Sequence, residues 1–450
     1  MIVNLPKYRN RSIIRERRCE GSAGTDVVTP ASLLILAAML RSDNIEIEFI
    51  DANAFSLGYE DISKRMQNER IDYILFPFVP GIIEHDMRIC RIAKKLNPKC
   101  LTIGYSWSLR KNAEQILEKY SDLDIQIVGP LFSVTEELFR SIDVHDDFRQ
   151  VCGIAFRNEN NHVIINKENK REIKLDELPL PAYDLLPSFN PYQVYSSFLR
   201  PFALVLSGQG CPYRCKFSNV AGTKYDCRSA SKVVQELKLL KRIGNIKYVW
   251  FFDECFTLNR RRTLEICKKI QQEDIKINWF CDTRVDLVDE DLLKSMHAAG
   301  CIGISYGVES GSQIQLNSMS KGFSVDQIKK ALFWTRKAHI PIPLNLIIGY
   351  SGENEKTLEE IKSIVRVFLP EMLQLDVLVI APGSELEKEL QLLGTSESTM
   401  SLALNQYFNH KAILERTLSF NPKWWVNSIN LLFWNPQLIL PVIGKYFIHK

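Results

Sequence analysis

The sequence predicts an α/β chain. An N-terminal doubly wound parallel sheet is followed by a partial (β/α)6 barrel and a small helical C-terminal region. Three observations carry this expectation. Short apolar runs recur between amphipathic stretches through the first 150 residues. A proline-dense segment, LDELPLPAYDLLPSFNPY, then interrupts the alternation. A second alternation of six apolar runs occupies residues 202–380, too short a span for a full barrel of eight strands.

In the first alternation, strands are expected at 1–6 (MIVNLP), 45–50 (IEIEFI), 71–78 (IDYILFPF), 100–104 (CLTIG) and 125–129 (IQIVG), with a helix at 30–42. Ligands of such sheets bind beyond the carboxyl ends of the strands, here around Pro6, Asp51, Pro80–Gly81, Gly104–Trp107 and Gly129. No GxGxxG follows the first strand, which argues against a nicotinamide dinucleotide. An Asp-x-His-x-x-Gly stretch, which would offer an axial histidine to cobalt, is also missing. Residues 153–173, GIAFRNENNHVIINKENKREI, read as a hairpin with a polar turn. The prolines after it block helix and sheet alike and give an extended connector. The expected division is 1–150 for the open sheet, 151–200 for hairpin and linker, 201–390 for the barrel and 391–450 for an aromatic, apolar C-terminal subdomain.

Barrel strands are expected at 202–206, 246–252, 277–282, 301–306, 342–348 and 373–380, with helices at 229–243, 260–273, 289–299, 324–338 and 355–368. Ser229 and Ser324 precede their helices as N-caps, and Gly300 stops a third helix.

Composition narrows the function classes. The 450 residues are 46% hydrophobic and 24% charged, the balance of a soluble globular protein. A net charge of +4 is too mild and too unclustered for a nucleic-acid binder. The start, MIVNLPKYRNRSIIRERRCE, lacks the apolar core and cleavage site of a signal peptide, so a cytoplasmic setting is expected. The eleven cysteines suit that setting. Cys90, Cys255, Cys267, Cys281 and Cys301 lie in apolar stretches and read as small core hydrophobes. Only Cys211 and Cys215 have ligand-like spacing. Near the C-terminus, Trp424, Trp425 and two apolar stretches at 431–434 and 438–443 fit either a subdomain packed on the body or a peripheral membrane contact.

In a parallel barrel the working residues lie at the carboxyl ends of the strands. Read in turn, those ends hold GQGCPYRCKFS (208–218), Asp253-Glu254, Asp282-Thr-Arg284 with Asp286, Tyr306 to Gly311 including Glu309, Asn345 with Gly349 to Glu353, and Ala381 to Glu385. Any one of them could be a solvated turn. Six at corresponding positions point to a single assembled site.

These segments resemble the radical S-adenosylmethionine superfamily, whose signature is Cys-x3-Cys-x2-Cys after the first barrel strand. GCPYRCKF with NVAGTKY and RS, FFDECFTLN, WFCDTRVDLVDEDLLKSMHAAGC, YGVESGSQ, IIGYSGENEKT and APGSELEKEL are similar to its cobalamin-binding branch. The open sheet and the LPLPAYDLLP linker match that branch by layout, so the resemblance spans roughly residues 1–390. It implies a 4Fe–4S cluster, S-adenosylmethionine and cobalamin as cofactors, with cobalamin inferred from the layout alone. It implies cleavage of S-adenosylmethionine to a 5′-deoxyadenosyl radical, with methyl transfer to, or rearrangement of, an unactivated carbon. Cys211 and Cys215 would be cluster ligands. Backbone near Phe217 would touch adenine, Asp253 and Glu254 would receive the methionine ammonium, and Glu309 with nearby Arg284 would serve the methionine or ribose. Asn345 and Gly349 complete the cofactor-binding set. An external electron donor of flavodoxin or ferredoxin type and a small-molecule or lipid-like substrate would be the partners.

The sequence departs from the signature at several places. Position 218, where the third cysteine is expected, is Ser, and a neutral hydroxyl is a poor iron ligand. Gln209, Asp226 and Ser351 replace an arginine, an arginine and a proline of the usual pattern. Cys227 is a possible substitute donor. Beside the radical enzyme there thus stands a second reading, a cluster-deficient relative that binds corrinoid or nucleotide or acts as a scaffold.

Overall fold

A computed structural model of the chain describes all residues except 25, 143–147, 168–172, 195–198, 379, 382 and 393–450. The tryptophans and apolar stretches expected to pack on the body or touch a membrane, and all but the first residues of the 391–450 subdomain, lie outside the described residues. The chain divides into two compact units: Met1–Leu206 with Asp226–Trp250, and Ser207–Tyr225 with Phe251 onward.

The first unit is built on a seven-stranded sheet. Its strands are β1 (Ile2–Asn4), β2 (Phe49–Asp51), β3 (Tyr73–Pro77), β4 (Leu101–Tyr105), β5 (Ile125–Ile127), β6 (Ile154–Arg157) and β7 (Val163–Ile165). They lie in the order β2-β1-β3-β4-β5-β6-β7. The first five pair in parallel, and the β6–β7 hairpin adds two antiparallel strands at the edge. Five helices pack on it: α1 (Ala31–Ser42), α2 (Tyr59–Asn68), α3 (Arg88–Leu96), α4 (Ala113–Lys119) and α5 (Leu131–Ile142).

Side chains of successive strand residues face opposite ways, and the core divides accordingly. Ile2, Leu75, Ile103 and Ile125 pack with α1 and α5. Val3, Ile74 and Phe76 pack with α2, α3 and α4. Helices on both faces of a parallel sheet make the doubly wound arrangement that the sequence predicts. One strand differs from its expected place. The strand begins only at Phe49: the Ile45 amide closes on the Leu40 carbonyl, and the Glu48 carbonyl accepts from the Ile2 amide. The three-residue β1 pairs with Phe49–Asp51 on one side and with Leu75 of β3 on the other.

The later strands are β8 (Phe202–Val205), β9 (Tyr248–Phe251), β10 (Asn278–Thr283), β11 (Cys301–Glu309), β12 (Pro343–Ile348) and β13 (Met372–Val377). They form a six-stranded sheet in sequential order, and β10 to β13 pair in parallel. The connecting helices are α6 (Ala230–Gly244), α7 (Arg260–Gln272), α8 (Glu290–Ala298), α9 (Gln313–Ser318), α10 (Val325–Lys337) and α11 (Glu355–Phe368), with α12 (Glu385–Leu392) after β13. Sequential parallel strands joined by helices are the partial barrel of the sequence reading.

The caps fall where the side chains predict them. The Ser229 hydroxyl accepts from the Lys232 amide. Ser324 and Gln327 form a reciprocal capping box. Gly300 has φ of +91°, and a Cβ there would meet the Ile277 carbonyl at 2.5 Å. Strand β11 runs three residues further than its apolar pattern. A register shift between Gly307 and Glu309 carries it to Glu309, which has φ of +66°.

Candidate functional site

The loop after β8 is held by the segment after β9. Asp253 accepts from the Ser207 amide (3.0 Å), the Ser207 hydroxyl (2.8 Å) and the Gly208 amide (2.7 Å). Arg262 of α7 lies 3.7 Å from the same carboxylate and donates to the Ser207 carbonyl. Burial raises the Asp253 pKa, and the Arg262 charge opposes that shift. The Asp253 oxygens thus anchor the loop. Glu254 accepts from the Gly210 amide at 3.0 Å. Gly210 has φ of +84°, and a Cβ there would fall 2.0 Å from the Lys224 carbonyl, so only glycine fits beside this backbone.

Beyond this turn the Cys211 amide donates to the Thr223 hydroxyl. Cys255, from the segment after β9, is buried. The influence of the neighbouring Cys255 thiol holds the Cys211 pKa down to about 7, and that of Cys255 is pushed well above the usual thiol range. Cys215 is buried, and its sulfur accepts from Arg284 at 3.9 Å. Burial raises the Cys215 pKa, against the opposing charges of Lys321 and Arg284. The Ser218 hydroxyl accepts from the Val220 amide at 3.4 Å, a bond within its own turn.

Arg284 and Glu309 take different partners. Arg284 forks onto Asp286 through two 2.9 Å bonds, donates to the Lys321 carbonyl and stacks 3.6 Å above the Tyr213 ring. The buried Glu309 carboxylate pairs with Lys321 at 3.2 Å. Burial raises the Glu309 pKa, with the Lys321 charge the largest opposing influence. The Lys321 ammonium also lies 5.7 Å over the Phe217 ring. Phe217 packs on the cluster of Met319, Tyr350 and Leu386. Cys215, Arg284, Lys321, Glu309 and Phe217 are thus joined through successive contacts.

The end of β12 supplies acceptors. Asn345 donates to the Ser305 hydroxyl at 2.9 Å, while its Oδ1 is buried with no hydrogen-bond partner. Gly349, with φ of +84°, donates its amide to Glu353 at 2.7 Å, and the other Glu353 oxygen is likewise buried and unpartnered. Two orphaned acceptors fit a ligand rich in N–H and O–H donors. Thiols beside two buried cations fit an anionic iron–sulfur group.

Cys255 is buried, as its apolar surroundings in the sequence led us to expect. Two residues at the site escaped the sequence reading. Tyr213 and Lys321 carried no signal of their own.

In the first unit, the carboxyl ends expected to receive a ligand are largely engaged by the chain itself. Arg15 donates to the Leu5 and Pro6 carbonyls and pairs with buried Asp86 at 2.7 Å. Asp51 accepts from Asn4, Ala54 and Tyr192. Glu20 accepts from Ser106, Trp107 and Ser108. At the same edge the Asn4 Oδ1, Tyr105 hydroxyl and Trp107 indole N–H are buried without hydrogen-bond partners.

Comparison with known proteins agrees with this geometry. Residues 205–364 match the Radical SAM superfamily. An uncharacterized methyltransferase of Pyrococcus horikoshii is 26% identical over 82% of this chain and 79% of its own length. An anaerobic magnesium-protoporphyrin IX monomethyl ester cyclase of Rubrivivax gelatinosus is 26% identical over 80% of this chain and 66% of its own. The fold is similar to that of the radical S-adenosylmethionine methyltransferase TsrM from Kitasatospora setae, solved with cobalamin and a [4Fe-4S] cluster. That match has a TM-score of 0.71 at 15% identity and covers 88% of this chain and 75% of TsrM. Residues 205–364 of the chain thus match the Radical SAM superfamily, and its fold is similar to that of a methyltransferase solved with cobalamin and a [4Fe-4S] cluster.

Proposed function

We propose that the protein is a cobalamin-dependent radical S-adenosylmethionine enzyme that transfers a methyl group to, or rearranges, an unactivated carbon of a small or lipid-like biosynthetic substrate. The observation that carries this is the thiol pair Cys211 and Cys215 set beside the buried cations Arg284 and Lys321, within the superfamily domain. Cys211 and Cys215 would hold a cluster, which would supply to sulfonium cleavage an electron received from a flavodoxin- or ferredoxin-type donor. The chain's own residues position and bind. Glu309, Asn345 and Glu353 offer acceptors to the ammonium and hydroxyl groups of S-adenosylmethionine. Arg284 orients the Cys215 sulfur. The unpartnered Asn4, Tyr105 and Trp107 groups of the first unit suit the amide-rich rim of a corrinoid.

Ser218 favours the second reading, a cluster-deficient corrinoid- or nucleotide-binding relative. The test is anaerobic reconstitution with iron, sulfide and cobalamin, then dithionite and S-adenosylmethionine, with 5′-deoxyadenosine measured. Formation of 5′-deoxyadenosine together with a bound-corrinoid spectrum is the expected result. A wild-type chain that makes none while Ser218→Cys does would establish the second reading.

A further inference from the structure

The interior of a parallel barrel is normally filled by Val, Ile and Leu side chains. One face of β10 to β13 departs from that rule. Successive residues of a strand turn to opposite faces. Cys281, Ile304, Leu344 and Leu346 share one face and are buried. Asp282, Ser305, Asn345, Gln374 and Asp376 lie on the other. Asp282 pairs in register with Ser305, Gly307 with Asn345, and Asn345 with Gln374, so the polar residues form one band across four adjacent strands. Asn345 donates to the Ser305 hydroxyl at 2.9 Å, across β11 and β12. Gln374 donates to the two Asp376 oxygens at 3.3 and 3.1 Å, along β13.

The band runs up to the site described above. A Cβ at Gly307 would fall 2.7 Å from the Glu309 carboxylate and 3.6 Å from the Lys321 ammonium. At β13 the face is open, and Gln374 and Asp376 are exposed. Deeper in the band the Asn345 Oδ1 is buried with no hydrogen-bond partner. The four strands contain no Lys, Arg or His. The nearby cations are engaged, Arg284 by Asp286 and Lys321 by Glu309.

We infer that this band binds an ammonium group of the substrate, which narrows the class proposed above to amine-bearing molecules. The inference rests on the reading of this unit as the S-adenosylmethionine site. An ammonium brings one positive charge and three N–H donors. The two carboxylates match the charge, and the orphaned amide oxygen takes a donor. A carboxylate or phosphate in the same place would meet like charge. A bare hydrocarbon would desolvate the carboxylates without giving them a partner. Asn345, whose acceptor is assigned above to S-adenosylmethionine, marks the boundary with the cofactor. Gln374 and Asp376 lie one strand further out and are left to the substrate.

The test uses benzylamine, benzyl alcohol and benzoate, which share a ring and differ in charge. Each is titrated by saturation-transfer nuclear magnetic resonance, at neutral pH, into the anaerobically reconstituted protein with excess S-adenosylmethionine. Benzylamine should bind about tenfold more tightly than benzyl alcohol, and benzoate more weakly than either. Asp376→Asn, nearly isosteric at an exposed position, should bring the amine and the alcohol close to parity. Asp326→Asn, which removes an exposed acid of α10, should leave the preference unchanged. Circular dichroism checks that both variants keep the fold. Equal binding of amine and alcohol, or an amine preference that Asp376→Asn leaves intact, would overturn the inference. A preference seen only without S-adenosylmethionine would also overturn it and assign the band to the cofactor. Formation of 5′-deoxyadenosine without an amine preference would overturn the inference and keep the enzyme reading. An amine preference in a chain that forms no 5′-deoxyadenosine would keep the inference and overturn the enzyme reading.

Discussion

At the residue scale, charge and burial decide the roles of the site groups. Glu309 and Lys321 are buried together at 3.2 Å. Removing one member of such a pair leaves the other ionised in an apolar surround, at a cost of about 3–5 kcal/mol. Lys321→Met should therefore destabilise the protein by that order in denaturant unfolding, and Glu309→Gln in the same chain should recover part of the loss. Full stability of Lys321→Met alone would contradict the pairing. The sequence made Glu309 legible as a site residue because a carboxylate ending an apolar strand needs a partner. It did not make the partner legible. Asp286, two residues beyond Arg284, captures the fork of that guanidinium.

At the element scale, α1 gives a pH prediction. Glu16 accepts from the Ser32 amide and hydroxyl in the first turn of α1, where the helix dipole favours an acceptor. Burial nevertheless raises its pKa from 4.5 to about 7. The folded chain keeps a proton that the unfolded chain releases above pH 4.5. The stability contributed by this group is fully present below pH 4.5 and is lost as pH rises through about 7. Glu16→Gln removes that dependence. Relative to wild type, the variant should gain on the order of 2 kcal/mol between pH 5 and pH 8 in urea unfolding. A difference that does not change with pH would contradict the assignment. Elements with strong periodicity and caps, such as α6 and α10, were legible in the sequence almost to the residue. The short β2 was displaced because the α1 turn claimed residues that look like strand. The extension of β11 to Glu309 was illegible because a left-handed residue after a register shift leaves no pattern in composition.

At the scale of the whole molecule, the alternation of strands and helices was legible because the strands joined by helices pair in parallel, and parallel strands read as nearly unbroken apolar runs. Strand order was less legible. Nothing in the residues announces that β1 lies between β2 and β3, or that the β6–β7 hairpin extends the first sheet. The engagement of that sheet's carboxyl edge by Arg15 and Glu20 was equally invisible, because it joins residues far apart in sequence. The claim that unites the scales is that the second unit builds an iron–sulfur centre that binds S-adenosylmethionine. It is tested most directly by electron paramagnetic resonance of the anaerobically reconstituted, dithionite-reduced wild-type protein with and without S-adenosylmethionine. The account predicts a reduced-cluster signal that changes when S-adenosylmethionine is added, because an open iron is available to it. A protein without such a signal, or with one that S-adenosylmethionine leaves unaltered, would contradict it.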